Sequence, residues 1–98
     1  MVITKNNPEI NSRQVVIIGG GIAGLSAAYY LQKEKLSHNL SLNIVLVEGD
    51  ERLGGKIITS RTGGFVIEGG PDCFLRQKPW AKELATEIGL SDEIIGTQ

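Results

Sequence analysis

Apolar residues in this chain come in short unbroken runs, separated by polar stretches and glycine clusters. "VVII" (15–18) is a β-branched run with no polar position inside it. A run of that kind predicts a strand buried on both faces, as parallel strands are. Gly19, Gly20 and Gly21 break it. From Ile22 the sequence is rich in Ala and Leu with helical spacing, and it ends in the polar "QKEK". A second β-branched run, "NIVLVE" (43–48), follows the return loop at 36–42. Residues 15–48 therefore predict a strand, a tight glycine turn, a helix and a second strand. The seventeen uncharged residues 15–31 fall short of the roughly twenty that a bilayer-spanning helix needs. The glycines also split them, so no transmembrane segment is expected.

Further along, "KIITSR" and "FVIE" predict a hairpin joined by "TGG". "PWAKELATEIGL" (79–90) predicts a helix, with Pro79 at a starting position and Gly89 near a stop. Its apolar stripe, Trp80, Ala81, Leu84, Ala85 and Ile88, reads as core. "SDEII" begins a further short turn capped by Ser91. Residues 1–12 are polar and lack the apolar stretch of a secretory signal, so they read as a tail. The expected fold class is α/β: a Rossmann-like βαβ dinucleotide-binding unit with parallel strands, then a small β-hairpin and a helix.

Composition narrows the chemistry. The 98 residues allow one small domain with a limited core. Net charge is −1, with no basic block for nucleic acid or anionic lipid. A single cysteine, Cys73, excludes an internal disulfide and fits a reducing compartment. His38 reads as a solvated loop residue and Asp50 as a solvated turn residue. No spacing suggests a metal site or a Ser/His/Asp nucleophile. Glycine stands out at 13 of 98, nearly twice the roughly 7% average. It clusters at 19–24, 54–55, 63–64 and 69–70, which marks backbone devices more than linker.

"GGGIAG" (19–24) spells G-x-G-x-x-G on Gly19, Gly21 and Gly24. The first glycine makes the turn out of the strand, and the second lets a pyrophosphate approach the backbone. The third lets the helix pack close to the strand. The N–H groups of the helix start, around Gly20, Ile22 and Ala23, then face an anion. A lone motif of this kind is weak, but here it follows a strand and opens a helix. Glu48, 24 residues after Gly24, fits the acidic position that accepts hydrogen bonds from a ribose. A carboxylate there repels a 2′-phosphate, which argues against NADP.

"ERLGGKIIT" and "GFVIEGGPDCF" then carry a more specific resemblance. Together they resemble the flavin-dependent amine oxidase and phytoene desaturase superfamily, in which an Arg-x-Gly-Gly-Arg/Lys segment follows the ribose-binding acid. Within it they look like the porphyrinogen oxidases of haem biosynthesis. Those enzymes oxidise protoporphyrinogen IX or coproporphyrinogen III with FAD and molecular oxygen. The resemblance implies that Gly19 to Gly24 hold the FAD pyrophosphate and that Glu48 with Gly49 holds the adenosine ribose. It places Arg52, Gly55 and Lys56 at positions near the cofactor. Gly70, Pro71, Asp72 and Cys73 match the segment beside the flavin, with Cys73 where the family commonly has serine.

Members of that family are several times longer, with an FAD domain built from N- and C-terminal segments around a substrate domain. The resemblance thus implies that residues 1–98 are the N-terminal part of an incomplete FAD/NAD(P)-binding domain, with the substrate domain absent. The porphyrinogen would be bound by missing sequence, and this piece alone is expected to be inactive. No catalytic residue is assigned. The parent enzyme is expected in the cytoplasm, with peripheral membrane attachment left open. An amine oxidase, a carotenoid desaturase or a non-catalytic dinucleotide-binding module are the competing readings. Self-association of the isolated chain is expected, because its strands would lack partners.

Overall fold

The fold is that of a computed structural model, which describes residues 1–4 and 12–97. The predicted 1–12 tail lies mostly outside the described residues. Its first part, however, forms a strand, β1 (Val2–Thr4). β2 (Arg13–Ile18), α1 (Ile22–Ser37) and β3 (Leu42–Val47) follow in order. β2 and β3 run parallel with Val15 opposite Ile44 and Ile18 opposite Val47. β1 pairs antiparallel on the other side of β3, with Val2 opposite Val47. The sheet order is therefore β1-β3-β2. This is a mixed α/β arrangement in which a helix links two parallel strands.

Register decides which side chains are covered. Paired residues share a face, and successive residues alternate between faces. Val15, Ile17, Ile44, Leu46 and Ile3 thus share one face, and α1 packs on it. Ile44 and Leu46 are the buried hydrophobic core among the described residues. The opposite face carries Val2, Val16, Ile18, Val45 and Val47. Nothing in the described chain covers it, and Ile18 is 88% exposed. The expectation that "VVII" is buried on both faces is therefore corrected. A doubly buried strand needs a layer on each side, and α1 supplies only one.

β4 (Thr59–Thr62) and β5 (Phe65–Glu68) form the expected hairpin. Gly63 and Gly64 both have positive φ, at 58° and 81°, the conformation of a type I′ turn that matches strand twist. Both strands are exposed along their whole length.

α2 (Pro79–Glu87) starts with Pro79 in the first helical positions. It ends in a Schellman motif, with the Gly89 N–H donating to Thr86 O and Leu90 N–H to Ala85 O. Its apolar stripe is not core: Trp80 is 69% exposed and no α2 residue is buried. α2 is tied to α1 through polar tips instead. Glu87 accepts from Lys33 Nζ at 2.9 Å and from Tyr29 Oη at 3.2 Å, and the Lys33 ammonium lowers the Glu87 pKa. Exposed pairs of this kind hold an element weakly. Ser91 opens a 3-10 turn, Ser91–Glu93, as its first residue and not as its cap. The Cα radius of gyration is 16.3 Å, larger than the roughly 13 Å of a compact 100-residue domain. The core is accordingly open.

Among the described residues the apolar sheet face opposite α1 is uncovered and β2 has a free edge, an arrangement that invites pairing with other chains. The purified 98-residue chain is expected to self-associate at micromolar concentration, read by light scattering. A monomer with one cooperative melt would show that the chain covers this face by itself.

Candidate functional site

The glycine turn lies between β2 and α1. The Gly19 N–H donates to Val47 O at 2.7 Å, which closes the end of the parallel ladder. Gly19 itself has φ +102°, a conformation that side-chain-bearing residues rarely adopt. The chain then turns directly into α1, whose N-cap is Gly21. A Cβ on Gly24 would lie 1.8 Å from Gly19 O and 3.4 Å from Ile17 Cγ2. Helix and strand approach so closely that only hydrogen fits there. A Cβ on Gly21 would meet only Gly55 Cα, at 3.9 Å. The first-turn N–H groups, including those of Ile22, Ala23 and Gly24, have no carbonyl partner within the helix.

Glu48 follows β3 directly and is brought to this turn. Its Oε1 accepts from the Gly20 N–H at 3.3 Å, while its own N–H donates to Met1 O at 2.8 Å. A carboxylate has about four lone-pair sites, so this bond leaves capacity for a diol. Gly49 and Asp50 are exposed beyond it.

The second glycine doublet packs against the first. The Gly54 N–H donates to Gly20 O at 2.8 Å. A Cβ on Gly55 would lie 3.2 Å from Gly21 Cα, and one on Gly20 would lie 2.6 Å from Leu53 Cδ2. Gly54 and Gly55 have φ +109° and +58°. Arg52 turns its guanidinium onto this same loop. Nη1 donates to Leu53 O at 3.1 Å and Ile57 O at 3.4 Å, and Nη2 donates to Gly55 O. Lys56 is exposed beside Gly55.

The third motif reaches the second. The Gly69 N–H donates to Ile58 O at 2.7 Å, and a Cβ on Gly70 would lie 1.9 Å from Lys56 O. Pro71, Asp72 and Cys73 continue as exposed loop toward α2. The structure thus brings together the glycine turn, Glu48 and the 52–57 loop, and attaches Gly70 to that loop. Sequence reasoning named Gly55 but passed over Leu53 and Gly54, which make the docking contacts. The doublet itself was the available signal, since Gly54 and Gly55 both hold positive φ. Among the described residues no group of three or more His, Cys, Asp or Glu could hold a metal ion. None of the described helices is long and apolar enough to cross a membrane.

A strand–glycine turn–helix unit with an acid at the next strand end is the arrangement of dinucleotide-binding proteins. The sequence matches the flavin containing amine oxidoreductase family over residues 22–97, and the chain belongs to that family. Its relatives include coproporphyrinogen III oxidase of Bacillus subtilis (strain 168), 48% identical over 83 residues, which cover 85% of this chain and 18% of that protein. The coproporphyrinogen III oxidase of Propionibacterium freudenreichii subsp. freudenreichii is 39% identical over 88 residues, or 90% of this chain and 16% of that protein. Protoporphyrinogen oxidase 1, chloroplastic, of Spinacia oleracea is 36% identical over 80 residues, 82% of this chain and 14% of that protein. A crystal structure from Exiguobacterium sp. 255-15, provisionally assigned as a protoporphyrinogen oxidase, superimposes with a TM-score of 0.75 at 45% identity. It covers 86% of this chain and 18% of that one. The chain therefore spans less than a fifth of the length of each of these relatives.

Proposed function

We propose that these residues form the Rossmann-like dinucleotide-binding part of a porphyrinogen oxidase and that the dinucleotide is FAD. The observation that carries this reading is the docking of the 52–57 loop onto the glycine turn, with Glu48 bonded at Gly20. A phosphate turn alone would suit many nucleotides. The second loop packs against it through the Gly54 N–H on Gly20 O, and the chain belongs to a flavin containing family.

FAD, when bound, supplies the redox chemistry, and the protein supplies binding and orientation. Gly21 leaves room for the pyrophosphate to approach the backbone. The N–H groups at the start of α1 donate to it, and the helix dipole favours its charge. Glu48 accepts from the ribose hydroxyls, and Gly49 keeps that approach open. Lys56 and Gly55 flank the cofactor from the loop. Gly70, Pro71, Asp72 and Cys73 would lie beside the flavin. The substrate is a porphyrinogen and the electron acceptor is molecular oxygen. Coproporphyrinogen III and protoporphyrinogen IX are both candidates, because relatives named for one and the other stand at 48% and 45% identity.

Titration calorimetry on the complete translated product of this reading frame tests the cofactor. FAD is expected to bind in preference to NADP, whose 2′-phosphate would meet the Glu48 carboxylate. Glu48→Ala is expected to weaken FAD binding about 10–100-fold, the loss of hydrogen bonds to a charged group. Preference for NADP would overturn the assignment.

A further inference from the structure

Arg52 stands among the glycines of the second motif, where the resemblance places it near the cofactor. Its guanidinium is already engaged. Three hydrogen bonds tie it to the carbonyls of Leu53, Gly55 and Ile57. These carbonyls come from a five-residue arc that curls around the guanidinium. Within the arc, Ile57 N–H also donates back to Gly54 O at 3.1 Å.

The arc needs such a clamp. Gly54 and Gly55 both hold positive φ, and glycine loses more conformational freedom on ordering than any other residue. Two successive glycines would otherwise sample many backbone states. Yet the contacts that seat this loop on the glycine turn are exacting: Gly54 N–H on Gly20 O at 2.8 Å, and Gly55 against Gly21 Cα. A planar fork of donors can hold three carbonyls in one fixed geometry, which a lysine ammonium on its flexible stem cannot.

We infer that Arg52 is a positioning residue: it acts through Gly54 and Gly55 by clamping the 53–57 loop onto the Gly20–Gly21 turn, and does not itself bind the dinucleotide phosphates. The inference rests on the dinucleotide-binding reading above. It deepens that reading by separating the residues that touch the cofactor from the one that holds them.

Two readouts on the complete translated product decide it, comparing wild type with Arg52→Lys and Arg52→Met. The first is amide hydrogen exchange without added cofactor. Exchange at Gly54 and Ile57 is expected to quicken at least tenfold in Arg52→Met and less in Arg52→Lys, with the α1 amides unchanged. Unchanged exchange at Gly54 and Ile57 overturns the clamp, whatever the protein binds. The second is FAD affinity as a function of salt. Arg52→Met is expected to bind FAD about 10–50-fold more weakly, with Arg52→Lys in between and the same salt dependence in all three. A direct phosphate contact is screened by salt, so a flatter salt dependence in Arg52→Met would overturn the inference by making Arg52 a ligand. If wild type binds no FAD, the cofactor reading fails, and the exchange result still decides the clamp.

Discussion

Gly21→Val is expected to abolish FAD retention in the complete translated product while leaving its melting temperature nearly unchanged. The two halves of this expectation have separate causes. Gly21 has φ −80° and ψ −168°, an extended conformation that valine adopts readily. A Cβ there would meet only Gly55 Cα, at 3.9 Å, an ordinary van der Waals distance. The backbone therefore accepts a Cβ at this position. The pyrophosphate does not, because the branched carbons occupy the approach to the backbone N–H groups. A loss of at least 100-fold in affinity is expected, read as the flavin content of purified protein and by titration of the apoprotein. Stoichiometric flavin in Gly21→Val would mean that the phosphates lie elsewhere.

Gly24→Ala is expected to act in the opposite way, on the fold first. In an exposed helix this change stabilises by about 1 kcal/mol through helix propensity. Here the added Cβ would sit 1.8 Å from Gly19 O. That is a backbone atom, so no rotamer change relieves the clash and α1 must move off β2. Overpacking of this kind costs about 1–3 kcal/mol and sometimes more. The clash at 1.8 Å is severe enough to put this case at the upper end. The net expectation is a loss on the order of 2 kcal/mol, measured by urea denaturation. A Gly24→Ala protein at least as stable as wild type would show that α1 is not packed this closely. Comparing the two variants separates the glycine proposed to face the cofactor from the glycine that packs against the strand end.

Much of this was legible in the sequence. "VVII", "NIVLVE" and the helix between them could be read because local patterning fixes strand and helix type. The hairpin could be read from "TGG", since two glycines there permit the turn. The glycine turn could be read from Gly19, Gly21 and Gly24 standing between a strand and a helix, with Glu48 at the end of the next strand. What could not be read depends on distant partners. Val2–Thr4 looks polar in context, and only the outer edge of β3 makes it a strand. Trp80 and Ile88 look like core, and their exposure reflects the lack, among the described residues, of any layer packed on α2. Val16 and Ile18 are as apolar as Val15 and Ile17, yet only the latter pair meets α1. The role of Arg52 was hidden because a motif records which residue occurs and not which way its fork points.

The placement of β1 also orders events in time. Thr4 pairs with Val45, so about forty residues must be made before that pairing can form. At roughly 5–20 residues per second, β1 waits some seconds on the ribosome for its partner strand to appear. β2 waits for the same strand, but α1 joins it directly to β3 in sequence, so its pairing closes the shorter loop. Glu48, whose N–H is bonded to Met1 O, gains that neighbour only once β1 has paired with β3.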